Sequence, residues 1–345
     1  MPSVCFWQGI GGGTAHYRCR TPGKALERAG WDVSFVVDDD SVISADVLVL
    51  QRVVAPWVPD IIRNLQARTN TVVVYDIDDW YEGIPDYNQA SRVVTDEHLE
   101  TTRELMRAAD VVTVSTPALA AGYAAYGPVV VLPNYLDPEI WGDVGRFAPL
   151  RTDGKVHVGW MGAFDWRGGD LELLKAWVPR FLDERPHVEF VAVGCPELLD
   201  YLGVKGLTSP LLYEGAQTAL RPYEHLPAML AHLDVSLVPL AQNRFNDCKS
   251  WCKGLESNAC GVPIVATASP EYRAYVRPGV NGLFARSGTW GKQVDSIIEN
   301  LDSFKAGAKA VADEYFIDAH IGEWVAAYRA GADFRQGRPV SAVVC

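Results

Sequence analysis

No stretch of this chain stays apolar for anything near the ~20 residues a membrane-spanning helix needs. A basic leader is also missing, because Met1 runs almost at once into the strand-like VCFW, so no secretory signal is expected. The seven cysteines are odd in number and form no CxxC pair. That argues for free thiols in a reducing, cytoplasmic setting. Cys248 and Cys252 stand one helical turn apart with no His nearby in the sequence, so no metal site is expected. Positive charge is scarce: 31 Lys and Arg face 43 Asp and Glu, for a formal charge of -12. A broad nucleic-acid surface needs clustered cations and is disfavoured, although a local basic cleft is not. The glycine run Gly9 to Gly13 contains no GxGxxG, which removes the main signal for a nicotinamide cofactor.

What remains is an ordinary globular composition, 48% hydrophobic and 21% charged, in 345 residues. That length is enough for two cores. Short β-branched runs alternate with amphipathic segments, as in βαβ units. Strands are expected at Val4–Trp7, Asp32–Val37, Val47–Gln51, Thr71–Ile77, Val111–Ser115 and Val129–Leu132. Helices are expected between them, among others at Tyr17–Ala29, Pro56–Arg68 and Asp96–Ala109. A second series runs through VHVGWMG from Val156, a helix at Leu171–Glu184, strands at Val188–Gly194 and Val235–Pro239, and a last strand at Ile264–Thr267. The Pro-, Gly- and Asp-rich stretch 137–154 separates them. Ligands of such folds gather at the carboxyl ends of the strands.

The segment NDCKSWCKGLESNACGVPIVAT, Asn246 to Thr267, carries the most chemistry. A helix over 248–259 would place Lys249, Lys253 and Glu256 on one stripe. Gly261 would close it and Pro263 would forbid its continuation. Cations and Ser250 near a helix start suit a diphosphate, and a carboxylate two turns later suits a ribose diol. The same spacing also describes a solvated, salt-bridged helix face.

In order along the chain, GIGGGTAHYR, ADVVTVST, VLPNYLD, GWMGAFDWRGGDLELL, HLPAMLAHLDVSLVPL, KSWCKGLESNACGVPIVAT and VRPGVNGLFA resemble the GT-B glycosyltransferases, within them the retaining enzymes of family 4. The resemblance implies an α/β GT-B architecture: two Rossmann-like domains facing across a cleft, with a C-terminal helix returning to the first. It divides the chain into an acceptor domain 1–140, a linker 141–154, a nucleotide-sugar domain 155–312, a crossing helix 313–335 and a tail 336–345.

It further implies donor binding by Gly11, Gly12, Gly13, Arg167, Lys249, Ser250, Lys253 and Glu256, with catalytic roles for Asp78, Asp79, Arg167 and Lys253. His16, Arg18 and Asp76 are acceptor-side candidates. No cofactor is implied beyond the nucleoside-diphosphate sugar itself, and the acceptor is open among glycan, protein, lipid and small molecule, with nucleic acid disfavoured by the acidic balance. Two departures stand out: Cys248 occupies the place of the family's first glutamate, and Ala163 that of its usual arginine. The acidic VVVYDIDDWY admits two rivals, a metal-binding DxD and a haloacid-dehalogenase-like phosphatase using Asp76 and Asp78, although Trp80 stands where that motif wants Thr or Val. A nucleotide-sugar epimerase and a non-catalytic binding protein on the same fold also fit these residues.

Overall fold

The computed structural model describes residues 1–36, 45–147, 153–164, 167–208 and 223–338. Parts of the linker and of the tail, the end of the second strand, and Asp165 and Trp166 of the GAFDWRGG turn lie outside these described residues.

The first sheet contains β1 (Ser3–Gln8), β2 (Asp32–Phe35), β3 (Val47–Gln51), β4 (Val72–Ile77), β5 (Val111–Val114) and β6 (Val129–Val131). They run parallel in the order β2-β1-β3-β4-β5-β6. Val, Ile and Leu dominate because helices cover both faces. Register aligns Gln8 with Gln51, Gln51 with Asp76, and Asp76 with Thr113, so the apolar strands end in one polar row.

The second sheet contains β7 (Val156–Met161), β8 (Val188–Val193), β9 (Leu207–Thr208), β10 (Val235–Val238), β11 (Ile264–Thr267) and β12 (Gly282–Ala285). Its order, β12-β11-β10-β7-β8-β9, is that of the doubly wound dinucleotide fold. Chain progress reverses between β7 and β10, and such a switch point opens a crevice at their carboxyl ends. Both six-stranded sheets agree with the GT-B architecture expected above.

The chain crosses between the lobes twice. Around Leu136 and Phe316 the two crossings pair, with the Leu136 amide donating to the Tyr315 carbonyl and the Ile317 amide to the Leu136 carbonyl. The last helix, Ile321–Arg335, then lies on the first sheet. Trp324, Ala327 and Tyr328 join Val49, Val74 and Val111 in one core. Gly331 is needed there: a Cβ would come within 2.8 Å of Val72 Cγ1 and 3.0 Å of Val111 Cγ1. Arg335 fastens the helix end to the carbonyls of Gln66, Thr69 and Thr71.

Four elements differ from expectation. The helix expected at Tyr17–Ala29 is composite: Gly12–Ala15, a π-turn His16–Arg20, then Thr21–Arg28. Pro22 has no N–H to return to residue 18, and the wide turn buries four consecutive side chains, His16 to Cys19. Leu171–Glu184 is split into Gly168–Lys175 and Val178–Asp183, because Pro179 cannot bond to the carbonyl of Lys175. The helix expected at 248–259 begins only at Cys252. A continuous helix would give the Cys248 carbonyl to the Cys252 amide, but it instead accepts the Thr116 hydroxyl of the other lobe at 3.2 Å. Finally, β12 adds a strand after Ile264–Thr267, the last one expected.

Candidate functional site

Helix Cys252–Ala259 follows β10 after a short helix, Arg244–Asp247, and a turn that carries Lys249 and Ser250. Gly261, at φ 68°, ends it in the left-handed conformation, and the Val262 amide reaches back to the Ser257 carbonyl. Lys253 and Glu256 therefore occupy fixed places at the switch point. Lys253 Nζ donates to the Met161 carbonyl at 2.8 Å, at the end of β7, and lies 4.5 Å from the Trp160 ring centre. Burial, helped by the charge of Arg167, lowers its ammonium to about 7.

Glu256 is 5% exposed. Its Oε1 accepts hydroxyls from both lobes, Tyr17 at 2.8 Å and Tyr223 at 3.2 Å. Burial raises the carboxyl to about 7 even though both hydroxyls work against it. Two hydroxyl groups on one carboxylate is the arrangement a ribose diol would make. His16 stacks on Tyr223 at 3.9 Å, and both of its ring nitrogens are buried without a partner. Burial pushes the imidazole down to about 4, so it is neutral at physiological pH.

Facing this helix is the end of β4. Asp79 pairs with Lys249 across the cleft and lies 3.5 Å from the Arg52 guanidinium, which is 3.3 Å from Asp78. Burial works to raise the Asp79 carboxyl, but Lys249 and Arg52 outweigh it and hold it below the usual range. Asp78 pairs with Arg52, but burial, helped by the like charge of Asp79, keeps it above that range. The Lys249 ammonium is depressed by burial, with Asp79 opposing the shift. Arg167 sits 3.5 Å from Asp170, and its charge is felt at Lys249, Lys253 and Asp79.

Arg18 and Asp76 sit apart from these groups. Both are fully buried and bound to each other at 2.7 Å. Arg18 also reaches the Leu132 carbonyl and Asn134 Oδ1, while Thr113 donates to Asp76. The pair holds the strand ends beneath the cleft rather than facing it. Asn134 extends this network across the lobes to Ser250 and Cys252. Gly11, Gly12 and Gly13 are exposed at the rim, Gly13 lying against the Tyr223 ring.

Three contributors escape sequence reasoning. Arg52 follows β3 with φ 51°, the single non-glycine residue with positive φ among those described. Its Nε donates to the Tyr81 hydroxyl at 2.5 Å. Tyr17 and Tyr223 meet Glu256 from places far apart in the chain. Arg52 lies in an unremarkable QRVVAP run, and only its place after a strand could have pointed to it. Among the described residues, no group of three His, Cys, Asp or Glu side chains is placed to hold a metal ion.

Two parallel αβ lobes, a switch-point crevice at the strand ends of the second and a C-terminal helix returning to the first define the GT-B class of protein. Residues 155–303 match the family of group 1 glycosyl transferases, so the second lobe is similar to that family, and the chain as a whole has the GT-B fold. A D-inositol 3-phosphate glycosyltransferase of Geodermatophilus obscurus is 28% identical over 118 residues. That match covers 32% of this chain and 25% of the relative, so the comparison spans a quarter of that protein's length. Sucrose-phosphate synthase of Thermosynechococcus elongatus superposes with a TM-score of 0.65 at 14% identity, covering 95% of this chain and 98% of its own. Anabaena HepE in complex with UDP follows at 0.61 and 15%, covering 94% and 98%. The same protein with UDP-glucose gives 0.61 and 14%, covering 94% and 100%. No helix among the described residues is long and apolar enough to cross a membrane.

Proposed function

We propose that this protein transfers a sugar from a nucleoside-diphosphate donor to an acceptor hydroxyl, with retention at the anomeric carbon. The observation that carries this reading is the convergence of Lys249, Lys253 and Glu256 at the switch point of the second lobe, opposite Asp79 of the first. The ribose diol takes the places of the Tyr17 and Tyr223 hydroxyls on Glu256, and the diphosphate takes that of Asp79 on Lys249. The complexes of HepE with UDP and UDP-glucose support a uridine donor.

The chemistry follows from these charges. The bond between the anomeric carbon and the diphosphate oxygen breaks, and negative charge grows on that oxygen. Lys249, Lys253 and Arg167 stabilise it in a site with little water, where such preorganised charge is worth several kcal/mol. The acceptor oxygen forms its bond on the same face, and its proton passes to the departing phosphate oxygen. Asp79, released from Lys249, orients that acceptor hydroxyl, and Arg52 keeps its carboxylate ionised. In this reading the protein's own cations supply the positive field, so no metal ion is required.

The phosphatase rival needs Asp76 as an accessible nucleophile, and its complete burial against Arg18 counts against that role. The test is calorimetric titration with UDP, GDP, ADP and their sugars, followed by donor hydrolysis assays. One nucleotide should bind, and Glu256→Ala and Lys253→Ala should each weaken it at least tenfold. Hydrolysis that survives both substitutions unchanged removes the site assignment.

A further inference from the structure

Residues 248–251 interrupt what the sequence pattern predicts as a helix, and nothing local breaks it, since 244–253 contain neither proline nor glycine. The first lobe instead takes hold of these residues one after another. The Thr116 hydroxyl donates to the Cys248 carbonyl at 3.2 Å, Asp79 pairs with Lys249, and the Asn134 amide donates to Ser250 Oγ at 3.1 Å. Thr116 and Asn134 are both buried, so water competes little for these bonds.

The unwound turn changes where Ser250 points. In a continuous helix Ser250 would share a stripe with Gly254 and Ser257, four and seven residues on. That stripe packs on the second sheet: Ser257 Oγ donates to Ser236 Oγ at 3.0 Å, and a Cβ on Gly254 would come within 2.8 Å of Ile264 Cδ1. A helical Ser250 would therefore turn toward β10 and β11. Unwound, it meets the first lobe beside Lys249.

Asn134 also decides the polarity of that hydroxyl. Arg18 Nη1, which can only donate, meets Asn134 Oδ1 at 3.0 Å, so the amide cannot be flipped and Nδ2 is the end toward Ser250. With this bond arriving at its oxygen, Ser250 keeps its own hydrogen for an acceptor. Its neighbour Cys252 Sγ, at 3.1 Å, is a weak one, and a phosphate oxygen is far stronger. The buried Arg18 and Asp76 pair thus sets the amide that sets the hydroxyl. We propose that Thr116 and Asn134 are positioning residues of the first lobe, holding the 248–251 turn out of the helix so that Ser250 joins Lys249 on the diphosphate only while the lobes are together. This rests on the donor reading above.

The test uses Thr116→Val, which keeps the branched shape but not the donor, Thr116→Ser, which restores it, and Asn134→Ala, a second route should Thr116→Val not fold. Carbon chemical shifts of residues 248–251 in the ligand-free protein report the turn. They should move to helical values in Thr116→Val and return in Thr116→Ser. Calorimetry then compares UDP, GDP and ADP with uridine, guanosine and adenosine. Thr116→Val and Asn134→Ala should each weaken the nucleoside diphosphate about tenfold, roughly the worth of one hydrogen bond to a charged group, and leave the matching nucleoside unchanged. General damage to the fold would weaken both ligands alike. In a Ser250→Ala background Asn134→Ala should add nothing, because its effect passes through that hydroxyl. Unmoved shifts in Thr116→Val, equal losses for nucleoside and diphosphate, an unchanged diphosphate affinity or additive losses with Ser250→Ala overturn the proposal. If the shifts move while no diphosphate binds the wild type, the hold on the turn stands and the donor reading falls.

Discussion

Replacing Glu256 by Gln should change how stability responds to pH. The folded protein keeps a proton on Glu256 up to about pH 7, while the unfolded chain releases it near the ordinary carboxylate value of 4.5. Between those values the folded state binds more protons, so stability falls as pH rises and the loss is complete above about 7. At about 1.4 kcal/mol per pH unit, the gap corresponds to a loss of roughly 3 kcal/mol. Gln has the same shape and does not ionise. Urea unfolding of wild type and Glu256→Gln at pH 5, 6, 7 and 8 should therefore give two curves that diverge with pH, the variant gaining about 3 kcal/mol relative to wild type by pH 8. The same substitution should reduce the stabilisation given by nucleotide, because an amide oxygen accepts the ribose hydroxyls less strongly than a carboxylate. A difference that stays flat from pH 5 to 8 would falsify the buried, tyrosine-bound carboxylate.

The Lys253 ammonium, lowered to about 7 by burial, loses its proton as pH rises, so diphosphate affinity should fall between pH 6 and 9. Calorimetry on Lys253→Met should show weak binding with that pH dependence much reduced. Asp79→Asn should free Lys249 and tighten nucleoside-diphosphate binding by up to about tenfold at pH 6.5, while sugar transfer declines. An unchanged dissociation constant there would mean that Lys249 does not meet the diphosphate. Gly331→Ala should cost about 1–3 kcal/mol in urea unfolding, because its Cβ would press on Val72 and Val111.

Much of the fold was legible because β-branched runs have few uses outside buried strands. Val47–Gln51 and Ile264–Thr267 form strands over the residues expected. The breaks were harder to see. Nothing within KSWCKGLE reveals that Thr116, more than a hundred residues earlier, takes the Cys248 carbonyl and delays the helix to Cys252. The site was partly readable for the same reason. Lys253 and Glu256 share a helix, and their spacing holds them together whatever surrounds them. Asp76 and Asp78 look alike in DIDD, yet β4 ends at Ile77, so Asp76 stays within the sheet and pairs with Arg18 while Asp78 lies past the strand end and meets Arg52. The groups that meet Glu256 and Asp78, namely Tyr17, Tyr223 and Arg52, come from other segments and leave no local trace.

The return of helix Ile321–Arg335 to the first sheet bears on how the protein is made. The first lobe cannot complete its core until the whole second lobe has been synthesised, a delay of roughly 10–40 s at ~5–20 residues per second. During that interval Val72, Val74 and Val111 lack the helix that covers them. The second lobe, continuous from Val156 to Ala285, can close its own sheet first. On the ribosome the order of maturation is therefore reversed, with the second lobe finished before the lobe that was begun first.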